Sequence, residues 1–521
     1  MVRDHFRCLV STLAVALFLT GSVAAAPPDP SELANRIDKR LETRWKADKV
    51  QPAPLADDAE FLRRAFLDIT GRIPRPADVH EFLADKSPDK RRKLIDGLLD
   101  DPRFAVHFAN VWRAELLPEV ASDRGAEVFQ AGFEAWLRLK LRAGVGYDRL
   151  VRELLTVPIA PEGKDGEPVL RAPERPNPLA FFAVKEARPE NLASAVTRTF
   201  LGLRLECAQC HDHPFAQWKQ EQFWSQAAFF AGVRRQGRGV FAPLTETLDR
   251  RELTPPSSRK AQSAEFLDGR RPKWQAERSP RAALAEWVTS PDNPYFARAA
   301  VNRVWGHFFG TGLVEPVDDF RDDNPPSDPE LLDDLARAFV KFGFDLSYLI
   351  RGICLSQAYQ RTSARTHISQ DETRLPARMG VKAMTGEQFF DSLALAAGYH
   401  DDQDKGSARR QFLTRFALAG SIGEPETSVQ QALTMLNGRF VARATDPDAC
   451  PTLIAITRTP GMSTAQRIEA LYVITLSRKP SVEECERLKR YVGKMERSQE
   501  AERLADIFWM LLNSAEFRLN H

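Results

Sequence analysis

Helix starts recur along this chain with the same local punctuation, and that recurrence limits the fold more than any other feature. Ser87-Pro88, Asp101-Pro102 and Ser279-Pro280 each place a side-chain acceptor before a proline. That order suits an N-cap followed by the first helical position, where a missing amide hydrogen costs nothing. Thr385 with Gln388, Ser463 with Gln466 and Ser481 with Glu484 have capping-box spacing, in which two otherwise unpaired amides are satisfied reciprocally. Between the starts, apolar residues return at helical period. Phe61, Leu62, Ala65, Phe66 and Ile69 form one stripe, stopped by the stretch from Gly71 to Pro76; Leu94, Ile95, Leu98 and Leu99 form another, and Phe104, Phe108, Val111 and Trp112 a third. Helices are further predicted over about 128–142, 147–155, 189–200, 295–309, 329–342 and 346–359, with 177–187 apolar and buried. Sustained alternation of the kind a large sheet needs is missing from the sequence, as is any solenoid repeat. The predicted fold is mainly α.

A chain of 521 residues exceeds what one core usually organises, so two domains are expected. Residues 234–278 mark the expected boundary, because Gly, Arg, Pro and Ser replace the helical period there. The expected organisation is a signal peptide over 1–26, an N-terminal helical domain over 27–233, an irregular linker over 234–278 and a C-terminal helical domain over 279–521. The linker has at most a short strand pair, 240–241 with 244–248. Arg3 and Arg7 precede the apolar residues 9–23, and Val23-Ala24-Ala25 or Ala24-Ala25-Ala26 offers a cleavage site. An uncleaved anchor is the alternative, and Cys8 lies too early to serve as a lipid attachment site. The mature protein is therefore expected in the periplasm or at the cell surface, with no membrane span. Its 73 basic and 71 acidic residues, net +2, give no reason to expect nucleic acid as a partner. The G-x-S-x-G, HExxH and P-loop motifs are lacking, so hydrolase and nucleotide chemistry have no starting point.

Chemistry concentrates in Cys207-Ala208-Gln209-Cys210-His211. Two thiols at this spacing suit thioether bonds to the two vinyl groups of haem c, and the adjoining imidazole suits an axial iron ligand. Zinc on Cys207, Cys210 and one or both of His211 and His213 stays open beside it, as do a C-x-x-C thiol pair or disulfide and an accidental run. His213 is too close to His211 to reach the opposite face of the iron. His307, Met384 and His107 are the candidate sixth ligands, each against a bland reading as a buried helix residue; His307 is retained. Asp318, Asp319, Asp322 and Asp323 near Asn324 suggest calcium less than solvated acids. Asn302 and Arg303, in a strongly apolar helix, must be hydrogen-bonded and point to a structural or domain-contact role. Cys354 reads as a buried small hydrophobe, while Cys450 and Cys485 are a conceivable disulfide.

Several segments together resemble the planctomycete cytochrome-like proteins of unknown function, built from an N-terminal cytochrome-like domain and a C-terminal partner domain. In the first half the resemblance rests on the run from Phe61 to Pro74 (FLRRAFLDITGRIP), on Asp101-Pro-Arg-Phe104, and on the run from Cys207 to Phe215 (CAQCHDHPF) with Trp218. In the second it rests on Asn302-Arg-Val-Trp305, the run from Phe309 to Val314 (FGTGLV), Asp318-Asp-Phe320 and Pro329-Glu-Leu-Leu332. Gln431-Ala-Leu433, Leu436-Asn437 and Leu511-Leu-Asn-Ser514 with Glu516-Phe517 extend it. It implies an exported, mostly helical protein with a c-type haem at Cys207, Cys210 and His211, and it supplies no reaction. Many relatives carry an upstream cytochrome domain with its own C-x-x-C-H, and some a long insert between halves. This chain has neither, which implies a separate redox partner protein. The expected function is electron transfer by an exported haem protein, serving a surface substrate-oxidising system. The alternative is a non-redox structural or binding protein whose cysteine segment holds zinc or a disulfide.

Overall fold

The computed structural model describes residues 29–170, 175–256, 258, 260–275, 277–371, 374–399, 407–417, 438–493 and 496–521. The predicted signal peptide and the 431–437 segment of the resemblance lie outside the described residues. The fold is mainly α, as predicted. Its helices are α1 (Pro30–Ala47), α2 (Asp58–Thr70), α3 (Pro76–Ala84), α4 (Lys90–Asp100), α5 (Pro102–Leu116), α6 (Arg124–Glu127), α7 (Gln130–Arg142) and α8 (Tyr147–Leu155). They continue with α9 (Ala180–Val184), α10 (Pro189–Leu201), α11 (Gln220–Ala228), α12 (Pro280–Val288), α13 (Phe296–Phe309), α14 (Pro329–Lys341) and α15 (Leu346–Leu355). The last third adds α16 (Gly386–Ala397), α17 (Ser407–Ala417), α18 (Arg439–Ala444), α19 (Pro451–Arg458), α20 (Thr464–Leu476), α21 (Val482–Val492), α22 (Arg497–Leu512) and α23 (Ala515–Arg518).

Strands are short. β1 (Ala160–Pro161) runs parallel to β3 (Leu244–Glu246), which pairs antiparallel with β2 (Val233–Arg235). β4 (Glu252–Leu253) pairs with β5 (Gln262–Ser263), and β6 (Lys382–Ala383) with β7 (Leu519–Asn520). The predicted strand pair is therefore half right: Leu244 is in a strand, but its partner is Val233–Arg235 and residues 240–241 turn. Gly237 and Gly239, both at positive φ, carry the chain around that turn.

Caps explain where helices start. Asp101 accepts from the Arg103 amide and Ser279 from the Arg281 amide, each with proline next. All three predicted capping boxes form. Ser87 does not cap: its amide and hydroxyl both turn back to Asp85, at 2.7 and 2.6 Å, and α4 begins after Asp89.

The apolar core does not part at 234–278. One cluster of buried side chains runs from Leu33 to Met379, joined by Val473, across both sides of that segment, and a second gathers α16 to α23 around Leu67 and Ile73 of the first third. Glu246 of β3 and Arg281 of α12, both almost fully buried, form an ion pair that stitches the irregular segment to the helix after it.

α2 joins the two cores. Its apolar stripe is buried as predicted, but so are Arg63, Arg64 and Asp68 on the other side. Arg63 donates to the carbonyls of Thr475, Glu516 and Phe517, and burial lowers its guanidinium to about 10. Arg64 donates to the carbonyls of Tyr359, Arg361 and His521. A helix that is amphipathic by sequence is thus enclosed on both sides.

Candidate functional site

α10 delivers the chain to the cysteine motif. It ends at Gly202 in the left-handed region (φ 69°), where a Cβ would stand 2.5 Å from Cδ2 of Phe320. Leu203 and Leu205 then anchor in the core, and Glu206–Gln209 forms a single 3₁₀ turn. Ala208 points inward with no exposure, while Cys207 and Cys210 carry free thiols on the outside. The motif thus presents two sulfurs to solvent from one turn.

α11 holds that turn from below. Trp224 Nε1 donates to the Gln209 carbonyl at 3.0 Å, and Gln220 Nε2 donates to the carbonyls of Gln209 and Cys210 at 3.1 and 2.8 Å. Asp212 accepts from the Gln220 amide and the Lys219 ammonium, which hold its carboxyl below the usual carboxylate range. His211 Nδ1 lies 2.6 Å from the Asp212 carbonyl oxygen. A carbonyl only accepts, so Nδ1 carries the hydrogen and the neutral ring keeps its lone pair on Nε2. That is the tautomer an Nε2 metal ligand requires. His213 is turned to its own loop, its Nδ1 accepting from the Phe215 amide at 3.1 Å. Phe215 itself stands 71% exposed beside the motif. Burial raises the carboxyl of Glu206, the first residue of the turn.

The donor set fits what covalent haem attachment requires: two accessible thiols and an imidazole protonated on Nδ1, with its lone pair on Nε2. Among the described residues, no three or more His, Cys, Asp or Glu side chains gather as a metal site.

His307 sits apart, in a buried polar knot. Its Nε2 is 2.9 Å from the Asp68 carbonyl, and its ring lies 5.5 Å from that of His107. Asp68 is the hub: its carboxylate accepts from Lys382 Nζ (2.5 Å), Asn520 Nδ2 (2.7 Å) and the Tyr359 hydroxyl (2.8 Å). Lys382 also donates to the carbonyls of His307 and Phe308. Burial, aided by the Lys382 charge, lowers His307; burial and the neighbouring His307 lower His107 further. Met384 packs on the second core, in keeping with its bland reading. Little in the sequence signals this knot. Asp68, set between Leu67 and Ile69 in an apolar helix, was its one clue.

The acidic loop is solvated only in part: Asp322 and Asp323 are exposed as expected, whereas Asp318 and Asp319 are buried. Asp318 is buried and paired with Arg198 and Arg204, and the Phe320 amide donates to the Gly202 carbonyl. Asp319 and Asp323 both bind Arg321. The loop therefore clamps the end of α10, immediately before the cysteine turn. Asn302 is fully buried and hydrogen-bonded to the backbone of Val314 and Val317, while Arg303 pairs with Glu115 of α5. Both meet the structural role predicted. Cys354 is buried, as expected, and burial raises its thiol far above its ordinary value. Cys450 and Cys485 are both free, so the conceivable disulfide is corrected; Cys450 Sγ instead faces the Ala397 carbonyl at 3.3 Å.

Among the described residues, no helix is long and apolar enough to cross a membrane. No curated protein and no solved structure is similar to the chain. Two family models match, in the order the motifs suggested: PSCyt2, a protein of unknown function (DUF1549), over residues 36–235, and PSD1, a protein of unknown function (DUF1553), over residues 280–426. The chain carries these two domains in tandem, with the cysteine turn inside the first and the Asp318 clamp inside the second.

Proposed function

We propose that the protein is an exported c-type haem protein that passes electrons to a separate redox partner. One arrangement carries the reading: two exposed thiols on a single turn, followed by an imidazole whose Nδ1 is committed to a carbonyl. Cys207 and Cys210 are the attachment residues and His211 the axial ligand. A haem held in this way supplies one-electron transfer at its iron. The chain's own contribution is to hold the turn, through Trp224 and Gln220 of α11 and the buried Ala208, and to fix the His211 ring through the Asp212 carbonyl. Export is part of the proposal, since haem is attached covalently only after translocation.

The test is expression with the apparatus for covalent haem attachment. The wild type should give one haem per chain, retained through acid-acetone extraction, with the pyridine haemochrome spectrum of a c-type cytochrome. The double variant Cys207→Ala/Cys210→Ala should lose it. A colourless wild-type protein holding one zinc per chain would overturn this reading in favour of the structural alternative, as would one with an intact Cys207–Cys210 disulfide.

A further inference from the structure

A cleft of about 480 Å³ opens between the end of the irregular segment and α12, within the range of small-ligand sites. Its walls are aromatic and its rim is cationic. Phe266 and Trp287 stack at 5.3 Å and 8° between planes, and Phe229 stacks on the far side of Phe266 at 5.2 Å. Trp274 makes another wall and is steadied by the Arg251 guanidinium, 4.5 Å from its ring centre. Trp287 Nε1 is fixed by Asp268 at 2.8 Å. The rings are thus held in place before any ligand arrives, which lowers the ordering cost of binding.

Four cations line the cleft, Arg270, Arg271, Lys273 and Arg278, against a single lining carboxylate, Glu286. Arg278 is paired with Glu286. Arg270 and Arg271 pair with Asp268 and Glu265, which lie outside the lining, and both arginines are more than two-thirds exposed. Exposed pairs of this kind hold their partners weakly, so an incoming anion can share those guanidiniums. Lys273 has no ion pair among the described residues. Lys273 and Trp274 line the same cleft, so one site offers both a charge and an aromatic ring.

We propose that this cleft binds a small anionic ligand with a flat ring, the ring against Trp274 and the anionic group at Lys273 and Arg271. The site is independent of the haem reading, though α11 lies between the two places: Trp224 and Gln220 hold the cysteine turn, and Gln226 Nε2 donates at 2.8 Å to the carbonyl of Glu265, next to the lining residue Phe266.

The test uses the full-length protein, and in parallel the Cys207→Ala/Cys210→Ala variant, so that haem attachment does not bear on the outcome. 1-Naphthoate is titrated by calorimetry and tryptophan fluorescence, with 1-naphthalenemethanol as the uncharged ring and acetate as the ringless anion. 1-Naphthoate is expected to bind at least about tenfold more tightly than either control and to weaken with added salt. Lys273→Glu, at an exposed position that leaves the fold intact, is expected to weaken it about tenfold or more, and Trp274→Ala to abolish it. Equal affinity for the uncharged ring, no binding of 1-naphthoate, or unchanged affinity in Lys273→Glu would each overturn the proposal.

Discussion

Replacing Lys382 by Met isolates the worth of the buried knot at Asp68. The Asp68 side chain is 2% exposed and that of Lys382 is 17% exposed. Met keeps the length of the stem but removes the ammonium, leaving the carboxylate with only Asn520 and Tyr359 as neutral donors. The carbonyls of His307 and Phe308 lose their donor as well. Stranding one partner of a buried ion pair costs about 3–5 kcal/mol. Adding Asp68→Asn removes the stranded charge, so the double variant should recover about 2 kcal/mol or more relative to the sum of the two single losses. Native-state hydrogen exchange read at the amides of α2, β6 and β7 reports this locally, without assuming that both cores unfold together. Lys382→Met should accelerate exchange there on the order of a hundredfold or more. A loss under about 1 kcal/mol, or strictly additive single variants, would refute the reasoning, because the pair would then be behaving as an exposed one.

The His107–His307 pair predicts acid sensitivity. Both imidazoles have folded-state values below the ordinary one, so the unfolded chain binds more protons through that window. Their stability contribution is complete above the unfolded value near 6.5 and is lost as pH falls from there toward the folded values, at up to about 1.4 kcal/mol per pH unit for each ring. Urea midpoints between pH 7 and 5 should fall less steeply in His107→Gln than in the wild type; identical slopes would count against it. Gly202→Ala places a Cβ at a left-handed φ and against Phe320, at a cost of about 2 kcal/mol or more. Exchange protection of residues 203–210 should drop with it, and an unchanged protection pattern would show that the end of α10 does not support the turn.

Local signals in the sequence carried well where one element supplied both the pattern and its partner. α8 spans the predicted residues, and the three capping boxes close within four residues each. Signals failed where acceptors competed or the chain needed a distant partner. Asp85 captured Ser87 before Ser87 could cap α4. Helix α15 stops at Leu355, not Tyr359, because Ser356 adopts extended backbone and its hydroxyl returns to the Ile353 carbonyl. The exposed C-x-x-C-H turn was legible as chemistry, whereas the α11 clamp beneath it was not. Lys382 and Asn520 reach Asp68 across 314 and 452 residues of sequence, and no window-based pattern contains such a pair.

The placement of these long-range ties bears on how the cysteine turn is held. Helix α2, whose apolar stripe runs from Phe61 to Ile69, puts Arg63, Arg64 and Asp68 into contact with residues 359–382 and 475–521. The first third therefore has no complete set of hydrogen-bond acceptors of its own, and burial of its charges depends on the last two-thirds. The same holds next to the cysteines, where Asp318 and Phe320 pin the last turn of α10. The segment carrying Cys207 and Cys210 is thus fixed at one end by the C-terminal half and at the other by α11, which packs on β4 and β5. A turn fastened at both ends loses little freedom when its side chains take up a rigid group. Exposed sulfurs on such a mount support the proposed attachment of a rigid cofactor at Cys207 and Cys210.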